Sequence, residues 1–222
     1  MRYSDGKFAV SVVDVAPKAA SFTLQDNDIE LVEAVSPIKA WIEAHNTDVD
    51  QPFTENEELE LAALVVDEIR AKEPHKAGKA SKWSLSSVIY RKQDPTGSKS
   101  YTNAVHRDLS EDAVANLKDH HNQVYYYNAW IPRSKVTSFP LGLIQPNSID
   151  LQKEPTGFLG IENDRTGIRY SQDHQWIYFS NMNVGDLLLW HSEIVYHAAF
   201  ALPDQDALRS SLDMRIYFHE GG

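Results

Sequence analysis

The chain has 222 residues, 42% hydrophobic and 24% charged, which suits one globular domain with a sizeable core. Its formal net charge is −11 and no basic stripe is visible, which argues against a nucleic-acid partner. Cysteine is absent, so disulfides and cysteine nucleophiles are excluded, and any metal must use histidines and carboxylates.

No apolar run reaches the roughly 18 residues that a membrane span needs, and the opening "MRYSDGKFAV" lacks the continuous apolar core of a secretory signal. The expectation is a cytoplasmic protein with no membrane partner; homo-oligomerisation stays open. No internal repeat or low-complexity tract divides the chain. It reads as a single domain over 1–222, with an N-terminal strand and helices (1–82) packing on a core (83–222).

In chain order, "KFAVSVVDV" is β-like by its branched residues. Residues 26–45 read as helix in two pieces, the second restarting in "SPIKAWIEAH" at Pro37, which a first turn tolerates. The next segment, "TENEELELAALVVDEIRAK", predicts a third helix. Thr54 and Glu57 are spaced as a capping box, and Leu61, Leu64, Val65 and Ile69 form one apolar stripe. "AKEPHKAGKASK" reads as a solvated loop.

From residue 83 the texture changes to short strands separated by turn residues. They are "WSLSSVIYRK", "SYTNAVHRD", "QVYYYNAWIP", "LGLIQP", "GFLGIEN", "QWIYFSN", "DLLLWHSEIVYHAAFAL" and "SSLDMRIYFHE", with His120 and His121 in a solvated loop. Such a series after a helical start predicts a mainly β fold with flanking helices, a helix-backed sandwich or jelly roll, with an open α+β sheet as the alternative.

Four features bear on chemistry. In an extended chain side chains two apart share a face, so His106 and Asp108 present a nitrogen and a carboxylate together. That is two thirds of a facial metal site if a second histidine joins them, and otherwise an ordinary strand end. Two histidines follow in "NVGDLLLWHSEIVYHAAFAL". His197 is favoured because small alanines after it leave room for an open coordination position, whereas His191 suits a core or supporting place.

Farther on, Arg209, Ser211, Asp213 and Arg215 share one strand face opposite Leu212, Met214, Ile216 and Phe218. If the apolar face meets helices, the polar face turns into the barrel, where Arg209 with Ser211 can take a ligand carboxylate bidentately. Arg215 is expected to pair with Asp213. Trp130, Trp176, Tyr125 and Tyr127 could line an apolar pocket, although core packing is the commoner use of such aromatics.

The order His-x-Asp, His, Arg-x-Ser resembles the iron(II)- and 2-oxoglutarate-dependent dioxygenases, whose fold is a double-stranded β-helix. "NAWIP", "FPLGLIQPNSID", "HQWIYFSNM", "YHAAFALPD" and "LRSSLDMR" are similar to successive blocks of the hydroxylase/desaturase family that tailors secondary metabolites, which includes cephamycin hydroxylase-type and aspergillic-acid-type enzymes. The likeness covers residues 83–218.

It implies Fe(II) on His106, Asp108 and His197, and 2-oxoglutarate held by Arg209 and Ser211. It also implies Asn128 near the metal or co-substrate, O2 as oxidant, and hydroxylation or desaturation of a small-molecule substrate. Related halogenases lack the carboxylate, so Asp108 speaks against halogenation. Two rival readings are a cupin-like metal-dependent oxidase or isomerase that needs no 2-oxoglutarate, and a non-catalytic small-molecule-binding jelly roll.

Overall fold

The computed structural model describes residues 1–49, 51–92, 103–120, 124–153, 166–201 and 209–220. Its first elements are β1 (Arg2–Tyr3), β2 (Gly6–Lys7), β3 (Val12–Asp14), α1 (Leu24–Asn27), β4 (Ile29–Val32), α2 (Ser36–His45) and α3 (Glu55–Lys72). Next come β5 (Lys82–Lys92), β6 (His106–Arg107), α4 (Glu111–His120), β7 (Val124–Pro132), β8 (Leu141–Ile144) and β9 (Thr166–Gly167). The last are β10 (Trp176–Tyr178), β11 (Leu187–His191), β12 (His197–Ala199) and β13 (Ser210–His219).

Two sheets carry the architecture. One has the order β4-β11-β7-β13-β5 and the other β3-β10-β8-β12-β6-β9. All their pairings are antiparallel except β3 with β10. The sheets face each other as a jelly roll, the double-stranded β-helix expected, and not as an open sheet.

Period-two alternation sorts the strands' side chains into three cores. Tyr127, Ala129, Ile131, Leu212, Met214, Ile216 and Phe218 point outward and bury the stripe Leu61, Val65 and Ile69 of α3, together with Ile38 and Ile42 of α2. Between the sheets, Trp130, Leu188 and Trp190 meet Leu141, Leu143 and Ile177. On the outer face of the second sheet Val105, Ile144, Trp176 and Ala198 pack with Tyr3. Trp176 and Tyr127 are therefore core residues, and Trp130 alone of these three faces the interior.

The capping box forms as read. Thr54 Oγ1 accepts from Glu57 N–H at 3.4 Å and Glu57 Oε2 accepts from Thr54 N–H at 2.7 Å. Other expectations need correction. Residues 29–32 are a strand and not helix, because Asp28 takes a left-handed conformation (φ 60°) and turns "IELV" onto the edge of β11. Residues 111–120 are helix, begun by Ser110, whose Oγ accepts from Ala113 N–H at 3.1 Å.

His120 therefore closes α4, while His121 and the strand read in "GFLGIEN" lie outside the described residues. The segment 186–202 splits into β11 and β12, one in each sheet. Strands β3 and β4, both before residue 82, extend the two sheets. Among the described residues no helix is long and apolar enough to cross a membrane.

The outer core should dominate stability. Ile69 is fully buried, so Ile69→Ala should cost about 2–5 kcal/mol, whereas Leu59→Ala, at an exposed position on the same helix, should stay within about 0.5 kcal/mol. Urea denaturation of the two variants checks this.

Candidate metal centre

Sheet pairing, not sequence spacing, builds the centre. β6 and β12 are neighbours with His106 directly opposite His197, so both imidazoles enter the space between the sheets with ring centroids 4.5 Å apart. Asp108 follows β6 by one residue and is fully buried. Its Oδ1 lies 3.5 Å from His106 Nε2 and its Oδ2 3.6 Å from His197 Nε2. Among the described residues these are the one group of three His, Cys, Asp or Glu whose ligand atoms all lie within 4.8 Å of one another.

The backbone fixes which ring nitrogen is available. His106 Nδ1 lies 2.7 Å from the Ala104 carbonyl and His197 Nδ1 3.4 Å from that of Val195. A carbonyl only accepts, so each Nδ1 donates to it and each Nε2 is turned toward Asp108. His106 Nε2 is buried with no hydrogen-bond partner among the described residues.

Burial, reinforced by neighbouring His106, pushes the His197 imidazole down to about 3, so it is neutral at ordinary pH. Burial alone would raise the Asp108 carboxyl. The attraction of His106, His197 and Arg215 outweighs it and holds the group well below the usual carboxylate range. Two imidazoles and one carboxylate are the donor set of a divalent first-row metal, and His106 Nε2, buried with no hydrogen-bond partner among the described residues, fits such an ion.

Asp108 is held by more than the histidines. Arg215 Nη2 donates to its Oδ1 at 2.5 Å and Asn128 Nδ2 to its Oδ2 at 2.7 Å. The expected pairing of Arg215 with Asp213 is thus replaced, because β7 and β13 set Arg215 opposite Asn128 and both reach Asp108. Asn128 Nδ2 also donates to Asp213 Oδ1 at 3.2 Å, and Arg91 lies 3.9 Å from Asp213 Oδ2. Burial, with the nearby Asp108 charge, raises the Asp213 carboxyl. His191 stands apart, its Nδ1 bound to Asp28 Oδ1 at 2.7 Å.

The centre lies between two cavities. The smaller is lined by His106 and His197, by Arg209, Arg91 and Asp213, and by Trp130. Arg209 is buried, its guanidinium 5.2 Å from the Trp130 ring and donating to the Phe139 carbonyl. Ser211 is buried on the same strand face, and its Oγ has no hydrogen-bond partner among the described residues.

The larger cavity, about 360 Å3 and open to solvent, reaches Asp108 from the other side. Leu109, Ala113 and Leu117 line one wall and Tyr126, Arg215 and Tyr217 another. Sequence reasoning singled out neither Arg91 nor Tyr126. The registers Arg91↔Ser211 and Tyr126↔Tyr217 bring them to the site, and those pairings are not visible along the chain.

The fold is similar to that of several solved enzymes. An "iron and alpha-ketoglutarate-dependent endoperoxidase NvfI" superposes with a TM-score of 0.70 at 21% identity, covering 96% of this chain and 84% of that one. The "non-heme alpha ketoglutarate dependent epimerase SnoN" gives 0.55 at 13% identity over 92% and 83% of the two chains. HygX from Streptomyces hygroscopicus, solved with nickel and 2-oxoglutarate, gives 0.51 at 11% over 95% and 87%. No curated protein sequence matches the chain. The family model described as "Oxidoreductase/YMDC permease-like domain" matches residues 1–218, nearly the whole chain. With a jelly roll that gathers two histidines and a carboxylate between two cavities, this chain belongs to the family described as the Oxidoreductase/YMDC permease-like domain.

Proposed function

We propose that this chain is an Fe(II)- and 2-oxoglutarate-dependent oxygenase that hydroxylates or desaturates a C–H bond of a small molecule in secondary metabolism. The observation that carries it is the convergence of His106, Asp108 and His197 beside a cavity lined by a buried arginine. His106, Asp108 and His197 would hold the iron. Arg209, with Ser211, would hold the distal carboxylate of 2-oxoglutarate, and Arg91 adds positive charge to the same cavity. With O2, the bound iron and co-substrate supply the oxidising power that removes hydrogen from an unactivated C–H bond.

The protein's own residues prepare that chemistry. Arg215 and Asn128 grip both oxygens of Asp108 and so set the plane of its carboxylate. The two Nδ1–carbonyl bonds set the ring planes of the histidines. Trp130 packs beside the Arg209 guanidinium, whose planar fork suits a carboxylate. The similar folds support the reading, since NvfI and SnoN are described as alpha-ketoglutarate-dependent and HygX is described with nickel and 2-oxoglutarate bound. Their reactions include endoperoxidation and epimerisation, and hydroxylation or desaturation is the outcome proposed for this chain.

Removing Asp108 should empty the centre. Asp108→Ala deletes the one ligand charge that balances iron(II), so bound iron and 2-oxoglutarate-dependent succinate formation should both fall at least about tenfold. Stoichiometric iron with full succinate production in that variant would overturn the assignment.

The co-substrate site is tested separately. Arg209→Ala should raise the apparent KM for 2-oxoglutarate at least about tenfold, since a charge-assisted bidentate contact is worth on the order of 2 kcal/mol. Iron binding should remain intact. An unchanged KM, or turnover without any 2-oxo acid, would favour the cupin-like oxidase or isomerase instead.

A further inference from the structure

We infer that Asp213 is a positioning residue for the centre: acting through Asn128, it fixes the plane in which the Asp108 carboxylate meets the metal. The inference rests on the reading of the centre given above and adds to it a residue that is not one of the three ligands.

One amide bridges two carboxylates. Asn128 Nδ2 donates to Asp108 Oδ2 at 2.7 Å and to Asp213 Oδ1 at 3.2 Å. A side-chain amide has two N–H groups, so both are engaged. Its Oδ1 is buried with no hydrogen-bond partner among the described residues. Held by Asp108 alone, the amide would pivot about a single bond. Held by both acceptors it is fixed in its plane, and turning it over would set its oxygen against two carboxylates.

Asp213 is itself firmly placed. It lies within β13, opposite Ile89 of β5 and Trp130 of β7, and its neighbours Leu212 and Met214 are fully buried in the outer core. The register sets Arg215 opposite Asn128, which makes Asp213 the diagonal partner of that amide. Arg91 lies 3.9 Å from Asp213 Oδ2 and Arg215 binds Asp108 Oδ1, so each carboxylate has its own cation and the two can share one amide.

A carboxylate in this place is costly. Asp213 is 5% exposed, and an apolar side chain of similar volume would fill the space without desolvating a charged group. What the acceptor contributes is its hold on Asn128, and that hold is felt at the centre. Asp108 Oδ2, the oxygen Asn128 binds, is the one 3.6 Å from His197 Nε2. With Asn128 loosened, the carboxylate turns more easily about the Arg215 contact at Oδ1 and carries Oδ2 away from the histidine.

Cobalt(II), titrated into the full-length chain, tests this, because its visible absorption reports ligand geometry and needs no turnover. Asp213→Ala removes the acceptor, and should raise the Co(II) dissociation constant at least about tenfold and shift the visible bands. Asp213→Asn keeps a side-chain oxygen that accepts from Asn128, and should restore both the affinity and the spectrum of the unaltered chain. Asp213→Leu fills the same space without an acceptor and should behave as Asp213→Ala does, which serves where the alanine variant does not fold. Circular dichroism checks the fold of each.

The inference is overturned if the alanine and leucine variants keep the affinity and bands of the unaltered chain, as a merely structural role predicts, or if Asp213→Asn is as weak as they are. Neither outcome touches the reading of the centre, which Asp108→Ala decides by its bound iron and succinate formation.

Discussion

A carboxylate sealed from water is tolerable only if every direction around it is answered, and Asp108 is such a group. Two imidazoles face it from one side, a guanidinium caps one oxygen and a side-chain amide the other. Each partner comes from a different strand, so the carboxylate works as the knot that ties β6, β7, β12 and β13 together at the barrel's centre. Asn128 then passes the constraint to Asp213, and Arg91 of β5 to the same residue from outside. This chain of polar contacts runs from β6 in one sheet to β5 in the other within a few side chains.

The strand that bears most of this network also bears most of the outer core. β13 pairs along its whole length with β5 and over nine residues with β7. Leu212, Met214, Ile216 and Phe218 on one face are buried under α3, while Ser211, Asp213 and Arg215 on the other face build the site. Packing on one side thus holds the polar groups on the other in a fixed register. Slipping by one residue would exchange the faces and put hydrocarbon where the charges belong.

Partition of the interior follows from the same alternation. The histidines border the small cavity with Arg209, and Asp108 borders the large one with Arg215. One arginine lines the small cavity beside the histidines, and the other is spent on the centre's own carboxylate. The two look alike as members of one strand face, yet their surroundings differ entirely. Arg209 lies beside Trp130, and Arg215 lies against an anion.

Much of this was legible in the chain itself. Residue types settle which ligands are available when cysteine is absent, and local periodicity settles α3, its capping box and the two faces of β13, because those patterns depend on neighbours a few residues apart. His106 beside Asp108 and the preference for His197 over His191 were also readable, from same-face spacing and small neighbours.

What only the tertiary structure decided depends on pairing across the chain. Residues 29–32 are a strand because β11 offers an open edge, α4 covers the large cavity, and Arg215 turns to Asp108 and not Asp213 because Asn128 lies opposite it. Arg91 and Tyr126 enter the site by register alone. Contacts between residues far apart in sequence carry no local periodicity, so a single chain read along its length has no signal for them, and only the folded sheets bring them together.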